Sequence, residues 1–440
     1  MADLLLELFS EEIPAIMQNK ACEDLNNIVT NALVEASLTY KSSKSLSTPR
    51  RLCLMIEGLI NKSPDTREER KGPRVDAPEQ ALNGFLRGVG LTIDQLEVRD
   101  DKKGKTYFAI IEKEGRFAPE IVSEVINDAV NNFPWPKSMR WGSKSLKWVR
   151  PLHSILCILS AEDGVETVKV EIDGIKSSNL TAGHRFMSPD HFTVSSIEQY
   201  QKDLKKSYVI LDAQERADHI LEDAKNLAFA QGLELVEDIN LLNEVAGLVE
   251  YPVVLMGEIS KEFFELPAEV LMTSMKEHQK FFSVRNPKSN RIEKFIAVAN
   301  RATSDDGKTI IAGNQKVLFA RLSDAKFFWE NDLRIAKAGM NEWSEKLNKV
   351  TFHNKLGSQS ERIKRISFIA SATSRLTNAD MELANKAAML CKVDLSSEMV
   401  GEFAKLQGLM GSYYAAEAGL PIEIGDASKE HYSPQGPTDA

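Results

Sequence analysis

A chain of 440 residues exceeds any single small module and has room for about three domains. Its 42% apolar and 27% charged residues exclude wholesale disorder and fibrous repeats. The balance of 55 Lys+Arg against 64 Asp+Glu gives a net charge of −9, which argues against a uniformly basic nucleic-acid binder, but the charge is unevenly spread. Leu211–Glu250 carries ten acids against Arg216 and Lys225, whereas Pro134–His153 carries Lys137, Arg140, Lys144, Lys147 and Arg150 with no acid at all. An acidic total therefore conceals a basic segment.

The elements follow in chain order. Leu4–Phe9 reads as a strand, and Pro14 stands where a helix opening tolerates it, with the helix running to about Ala36. Leu52–Ile56 and Tyr107–Ile111 read as further strands, Pro64–Pro78 as a charged connection, and Pro119–Phe133 as a helix. After Ser188-Pro189-Asp190, helical spacing of Ile220, Ala224, Leu227 and Ala228 gives way to strands at Pro252–Met256 and Phe295–Val298. From about Asn341 the pattern is helical, with Ile363, Ile366 and Ala370 on one stripe and Ala387, Leu390 and Asp394 on another. The predicted fold class is α+β and multidomain: an α+β domain over 1–190, a second α+β unit over 191–335, and an all-α module over 340–440. Tyr432–Ala440 is turn chemistry and reads as a break between structures.

Cys22, Cys53, Cys157 and Cys391 form no C-x-x-C pair, which points away from zinc knuckles and disulfide frameworks. No run approaches eighteen apolar residues, and Asp3, Glu7, Glu11 and Glu12 sit where a secretory signal needs cations. The expected location is the cytoplasm, without membrane contact.

The segment Pro134–Pro151 interleaves those five cations with Trp135, Trp141 and Trp148, three of the five tryptophans. Lys and Arg neutralise phosphates and an indole face stacks on an unpaired base, the combination that single strands and RNA ends require. The competing reading places the tryptophans in a core with the cations coating it. Thr48-Pro-Arg50-Arg51 and Gly183-His184-Arg185-Phe186 are a second tier of phosphate-binding candidates, against the competing readings of a solvated loop for the first and a structural histidine for the second. Asp306-Gly307-Lys308-Thr309 mimics a phosphate loop, but Ala302 replaces the first glycine and Asp305 and Asp306 would repel phosphate, so an acidic turn is expected. His353 and Asp394 invite comparison with metal-dependent phosphohydrolases of the HD type, where Lys392 replaces the needed imidazole. Neither a catalytic nor a metal-binding residue is assigned.

Ten ordered segments resemble the β subunit of bacterial heterotetrameric glycyl-tRNA synthetase, among them Leu6-Glu-Leu-Phe-Ser-Glu-Glu-Ile-Pro14, Pro136-Lys-Ser-Met-Arg-Trp-Gly142, Gly313-Asn-Gln-Lys-Val-Leu318, Arg321-Leu-Ser-Asp-Ala325 and Glu402-Phe-Ala-Lys-Leu-Gln-Gly-Leu-Met-Gly411. The resemblance spans essentially the whole chain. It implies a tRNA-binding role, with tRNA-Gly, the α subunit and a second β subunit as partners in an α2β2 assembly. It implies that ATP and Mg are used by the α subunit and that this chain binds no cofactor and is not catalytic alone. It also implies an incomplete HD-like helical module and an absent C-terminal anticodon-binding domain. On charge and aromatic chemistry, the expected tRNA-binding residues are Lys137, Arg140, Trp141, Lys144, Lys147 and Arg150, then Arg50, Arg51, His184 and Arg185. The alternatives are an HD-type phosphohydrolase centred on His353 and Asp394, or a scaffold for the α subunit without RNA contact.

Overall fold

A computed structural model describes residues 1–101, 104–434 and 436–437, and the chain divides into two units. The first comprises Met1–His219 and Asn243–Pro252; the second comprises Ile220–Leu242 and the chain from Val253 onward. The mixture of sheets and helices is the α+β class that the sequence predicts.

The first unit runs β1 (Ala2–Ser10), α1 (Ala15–Glu35), β2 (Ser42–Thr48), β3 (Arg51–Leu59), β4 (Thr66–Arg74), α2 (Glu79–Val89), β5 (Leu96–Asp101), β6 (Gly104–Lys113) and α3 (Ala118–Asn131). It continues through β7 (Leu152–Ala161), β8 (Gly164–Thr167), β9 (Glu171–Ile172), β10 (Ile175–Ser178), β11 (Leu180–Ala182), β12 (His191–Thr193) and α4 (Ile197–Lys206). Seven strands form one sheet in the order β2-β3-β1-β7-β10-β9, with β8 also on β7; only β10 and β7 pair in parallel.

Both faces of this sheet are covered, which explains why β1 reads as an almost unbroken apolar run. Leu4, Leu6 and Leu8 face one core with Leu25, Val29 and Leu33 of α1 and Ile121, Val122 and Val130 of α3. Leu5 faces the other with Met55, Leu156, Tyr200 and Leu204. Strand alternation places Glu7 on this second face, opposite Cys53 of β3. Pro64–Pro78, expected as a connection, contains β4 instead. That strand belongs to a separate three-stranded sheet, β4-β6-β5, whose β4 side chains are exposed or half-buried, so no apolar alternation marks it.

Asn243–Pro252 is stitched into this unit by polar contacts. The buried Arg216 donates to the carbonyls of Ala246 (2.8 Å), Ile210 (2.7 Å), Leu211 (3.0 Å) and Ser47 (3.1 Å), and burial lowers its pKa to about 10. Gln18 Nε2 donates to the carbonyls of Ile13 and Gly247.

Chain continuity carries α5 (Ala213–Phe229), β13 (Glu234–Leu235) and α6 (Ile239–Ala246) toward β14 (Val253–Glu258), α7 (Ala268–Ser274), β15 (Phe282–Arg285), β16 (Ile292–Ala299) and α8 (Lys308–Lys337). Then follow α9 (Asn341–Lys346), β17 (Thr351–His353), β18 (Gly357–Ser358), α10 (Gln359–Thr377), α11 (Met381–Leu390), α12 (Glu398–Glu402), α13 (Leu409–Glu417) and α14 (Ile422–Glu430). The second unit holds a four-stranded sheet in the order β13-β15-β16-β14. Its core joins Phe281 and Phe295 to Leu318, Leu322 and Trp329 of the thirty-residue α8, and to Trp343, Met410 and Tyr414 of the helical region. Asp332 on α8 accepts the N–H groups of Glu398 and Met399 at the start of α12 and the Tyr414 hydroxyl at 2.7 Å. A buried carboxylate thereby satisfies a helix start that would otherwise be orphaned. The helical character expected from Asn341 is present, but Asp394 lies beyond the end of α11 in a short 3-10 turn rather than on its stripe.

Candidate nucleic-acid interface

Pro134–Pro151 links α3 to β7 as a fastened loop. Its base is aromatic: Trp148 is fully buried, with ring centroids 5.1 Å from both Phe133 and Trp135. Met139 and Trp148 exchange backbone hydrogen bonds at 2.8 and 3.2 Å, closing the intervening residues into a loop. Gly142 allows the turn there with φ +58°. The far side is tied down by Asp173, whose carboxylate accepts the N–H groups of Ser145 and Leu146, while Lys144 Nζ donates to the Asp173 carbonyl. Those backbone donors hold the Asp173 carboxyl below its usual range.

The two readings of this segment therefore divide between residues. Trp148 and Trp135 are packing residues, as the core alternative anticipates, whereas Trp141 is half-buried at the core's edge. Lys137, Arg140, Lys147 and Arg150 are exposed, and none has an ion pair among the described residues. Arg150 donates to the Val149 carbonyl at 2.9 Å, and Lys144 is half-buried and held by Asp173. Four unneutralised cations and one part-exposed indole on an ordered loop can meet a phosphate chain with an adjacent stacking surface.

The second-tier residues separate more sharply. Arg51 is fully buried: its Nη1 donates to Glu250, its Nη2 donates to the Ala182 carbonyl, and its Nε lies 3.2 Å from Glu7. Glu7 also accepts from Thr181 (2.7 Å) and Tyr200 (2.6 Å), and Glu250 accepts from Thr48 (2.7 Å). Burial raises the Glu250 carboxyl, but Arg51 and Thr48 outweigh it and hold the pKa below its ordinary value. Burial likewise depresses Arg51, yet Glu250 and Glu7 carry its pKa upward. Arg51 thus bridges two interior carboxylates and is closed to an RNA phosphate, correcting the expectation placed on it. His184 is also fully buried, its Nδ1 accepting from the backbone of Phe186 and Met187 at 3.3 Å, so it shapes its own turn. Arg50 and Arg185 remain half-buried and reachable.

Elsewhere, Asp305 accepts from Thr303 Oγ1, the Gly307 N–H and the Thr309 N–H, which hold it well below the usual carboxylate range; the acidic turn before α8 is what the sequence implies. His353 is exposed on β17, and Asp394 is buried. Among the described residues no group of three His, Cys, Asp or Glu side chains is arranged to hold a metal. Lys392 donates to Tyr432 at 2.8 Å and meets His431 Nε2 at 2.8 Å.

Comparison with known proteins agrees with the whole-chain resemblance. The family model described as glycyl-tRNA synthetase beta subunit matches residues 4–440. The chain belongs to that family, a component class of the aminoacyl-tRNA synthetases. Among relatives named glycine–tRNA ligase beta subunit, that of Ruegeria sp. (strain TM1040) is 63% identical, and that of Paracoccus denitrificans (strain Pd 1222) 62%, each over 100% of this chain and 64% of the relative. The protein of Phenylobacterium zucineum (strain HLK1), with the same name, is 50% identical over 100% of this chain and 65% of its own length. The chain thus spans less than two thirds of the length of the curated relatives it matches. No described helix is long and apolar enough to cross a membrane.

Proposed function

We propose that this chain is the tRNA-holding part of a glycine–tRNA ligase, acting in the cytoplasm beside an α subunit that carries out the ATP- and Mg-dependent activation of glycine. Its partners in this reading are tRNA-Gly, the α subunit and a second β subunit in an α2β2 assembly. The observation that carries the RNA assignment is the fastened loop presenting Lys137, Arg140, Lys147 and Arg150 without ion pairs among the described residues. Counterion release drives association of such a surface with a phosphate backbone. Trp141 supplies a stacking edge, while Trp148 and Asp173 keep the loop ordered before RNA arrives, which reduces the entropy cost of binding.

The test is glycylation of tRNA-Gly by purified α subunit with and without this chain, combined with direct tRNA-Gly binding to the chain. Stimulated charging with saturable binding is expected. Charging stimulated without any RNA binding would replace this reading by the scaffold alternative.

A further inference from the structure

Four separated stretches of the first unit meet around an open cleft of about 500 Å³ lined by Phe9, Glu11, Arg50, His153, Arg185 and His191. Phe9 comes from the end of β1 and Glu11 just follows it, Arg50 comes from the β2–β3 turn, His153 from the start of β7, Arg185 from the β11–β12 connection and His191 from the first position of β12. The cleft adjoins the basic loop, because the Glu11 N–H donates to the Pro151 carbonyl at 2.9 Å.

Its charges are arranged unequally. Glu11 accepts from Arg185 Nη2 at 2.5 Å and faces His153 Nε2 at 2.9 Å; burial raises its carboxyl, but these partners and Arg50 hold it below the ordinary value. Arg185 also lies 3.6 Å from Glu12. Arg50 has no ion pair among the described residues. Its guanidinium carbon sits 4.5 Å from the Phe9 ring centre, and its Nε is buried without a hydrogen-bond partner among the described residues. Burial and the nearby charge of Arg185 lower its pKa. A guanidinium stripped of part of its water, held over an aromatic face and pressed by a like charge gains more from an oxyanion than a freely solvated one does.

We propose that this cleft is a phosphate-binding site. Arg50 is its fixed ligand, and Arg185 is a second ligand that Glu11 holds until phosphate displaces the carboxylate. Glu11 is then an internal competitor: it stores Arg185 in position and weakens affinity for any anion unable to outbid it. The phosphate belongs either to an RNA backbone, in which case the site extends the basic loop and rests on the RNA-binding reading above, or to a small phosphate ester.

Inorganic phosphate titrated into the 440-residue chain at low ionic strength, followed by the arginine Nε–Hε resonances, tests the site. The Arg50 signal, identified by its loss in Arg50→Gln, is expected to shift saturably, and Glu11→Gln to tighten phosphate at least threefold. Arg185→Gln, as a second loss variant, is expected to weaken phosphate severalfold while the Arg50 signal stays in place. An Arg50 signal that phosphate does not move, or weaker binding in Glu11→Gln, overturns the proposal. With phosphate bound, displacement by tRNA-Gly assigns the site to RNA; failure of tRNA-Gly to displace it assigns the site to a small ester. The RNA-binding reading is then judged separately on the Lys137 loop.

Discussion

Replacing Lys137 and Arg140 together by alanine perturbs two of the four exposed, unpaired cations on the Pro134–Pro151 loop while leaving its aromatic base and the Asp173 ties untouched. Each phosphate neutralised contributes roughly −0.7 to −0.9 to the slope of log K against log salt, so four contacts give a slope of roughly −2.8 to −3.6. Raising salt from about 50 to about 200 mM should then cost the unmodified chain roughly 50- to 150-fold in tRNA affinity. With two contacts left, the slope falls to roughly −1.4 to −1.8 and the same change costs only about 7- to 12-fold. The variant therefore binds more weakly at low salt but converges on the parent as salt rises. Filter binding of tRNA-Gly at five or six salt concentrations measures both slopes. Because both side chains are exposed, stability should stay within about 0.5 kcal/mol, which a thermal melt checks. Parallel salt dependences for the two proteins would refute the assignment of these cations to phosphates, whatever the absolute affinities.

Arg51→Met leaves Glu7 and Glu250 buried without their shared cation and should destabilise the first unit by about 3–5 kcal/mol, read from urea unfolding; a loss below about 1 kcal/mol would show that Arg51 is not what neutralises them. Asp394 offers a pH test. Burial raises its pKa from 3.8 to about 6, although the N–H groups of Gly408 and Gly411 donate to Oδ2, and Oδ1 is buried without a partner among the described residues. The native state therefore holds this proton more tightly than the unfolded chain, so its contribution is fully present below about pH 4 and is lost as pH rises through about 6. The difference amounts to roughly 3 kcal/mol. Denaturant titrations of the parent and Asp394→Asn between pH 4 and 7 should diverge by that order, the parent losing stability relative to the variant; profiles that stay parallel would rule out titration of Asp394 in this window.

What was readable in the sequence depended on how far each interaction reaches along the chain. β1 is legible as a short, nearly unbroken apolar run and α1 from the proline at its opening, and the aromatic, cation-rich loop is legible because all its chemistry lies within eighteen consecutive residues. The division of its tryptophans into packing and part-exposed residues is not, since composition is the same for both. Arg51 looked like its neighbour Arg50 because Glu250, which draws it inside, lies 199 positions away. β4 was hidden for the opposite reason: its sheet has so little interior that no burial pattern is imprinted on it. The Arg50 cleft gathers residues from four stretches: Arg50 and Arg185 stand in segments the sequence singles out for phosphate, and Phe9 and Glu11 in Leu6–Pro14, but nothing local shows that the chain brings them together.

The return of Asn243–Pro252 to the first unit has a consequence for how the protein is made. The Arg51 guanidinium and the Glu7 carboxylate emerge from the ribosome early, but their third partner, Glu250, appears only after 199 further residues. At a synthesis rate of roughly 5–20 residues per second, that interval lasts on the order of 10–40 s. Once Ser178 has been made, late in that interval, all seven strands of the main sheet are available, while Gln18, and then Arg216 when it follows, lack the carbonyls of Gly247 and Ala246 that they bind in the finished fold. The nascent first unit must therefore wait, with a polar interior only partly satisfied, for a short segment encoded after residues of the second unit, and this interval is when chaperone engagement has the most to protect.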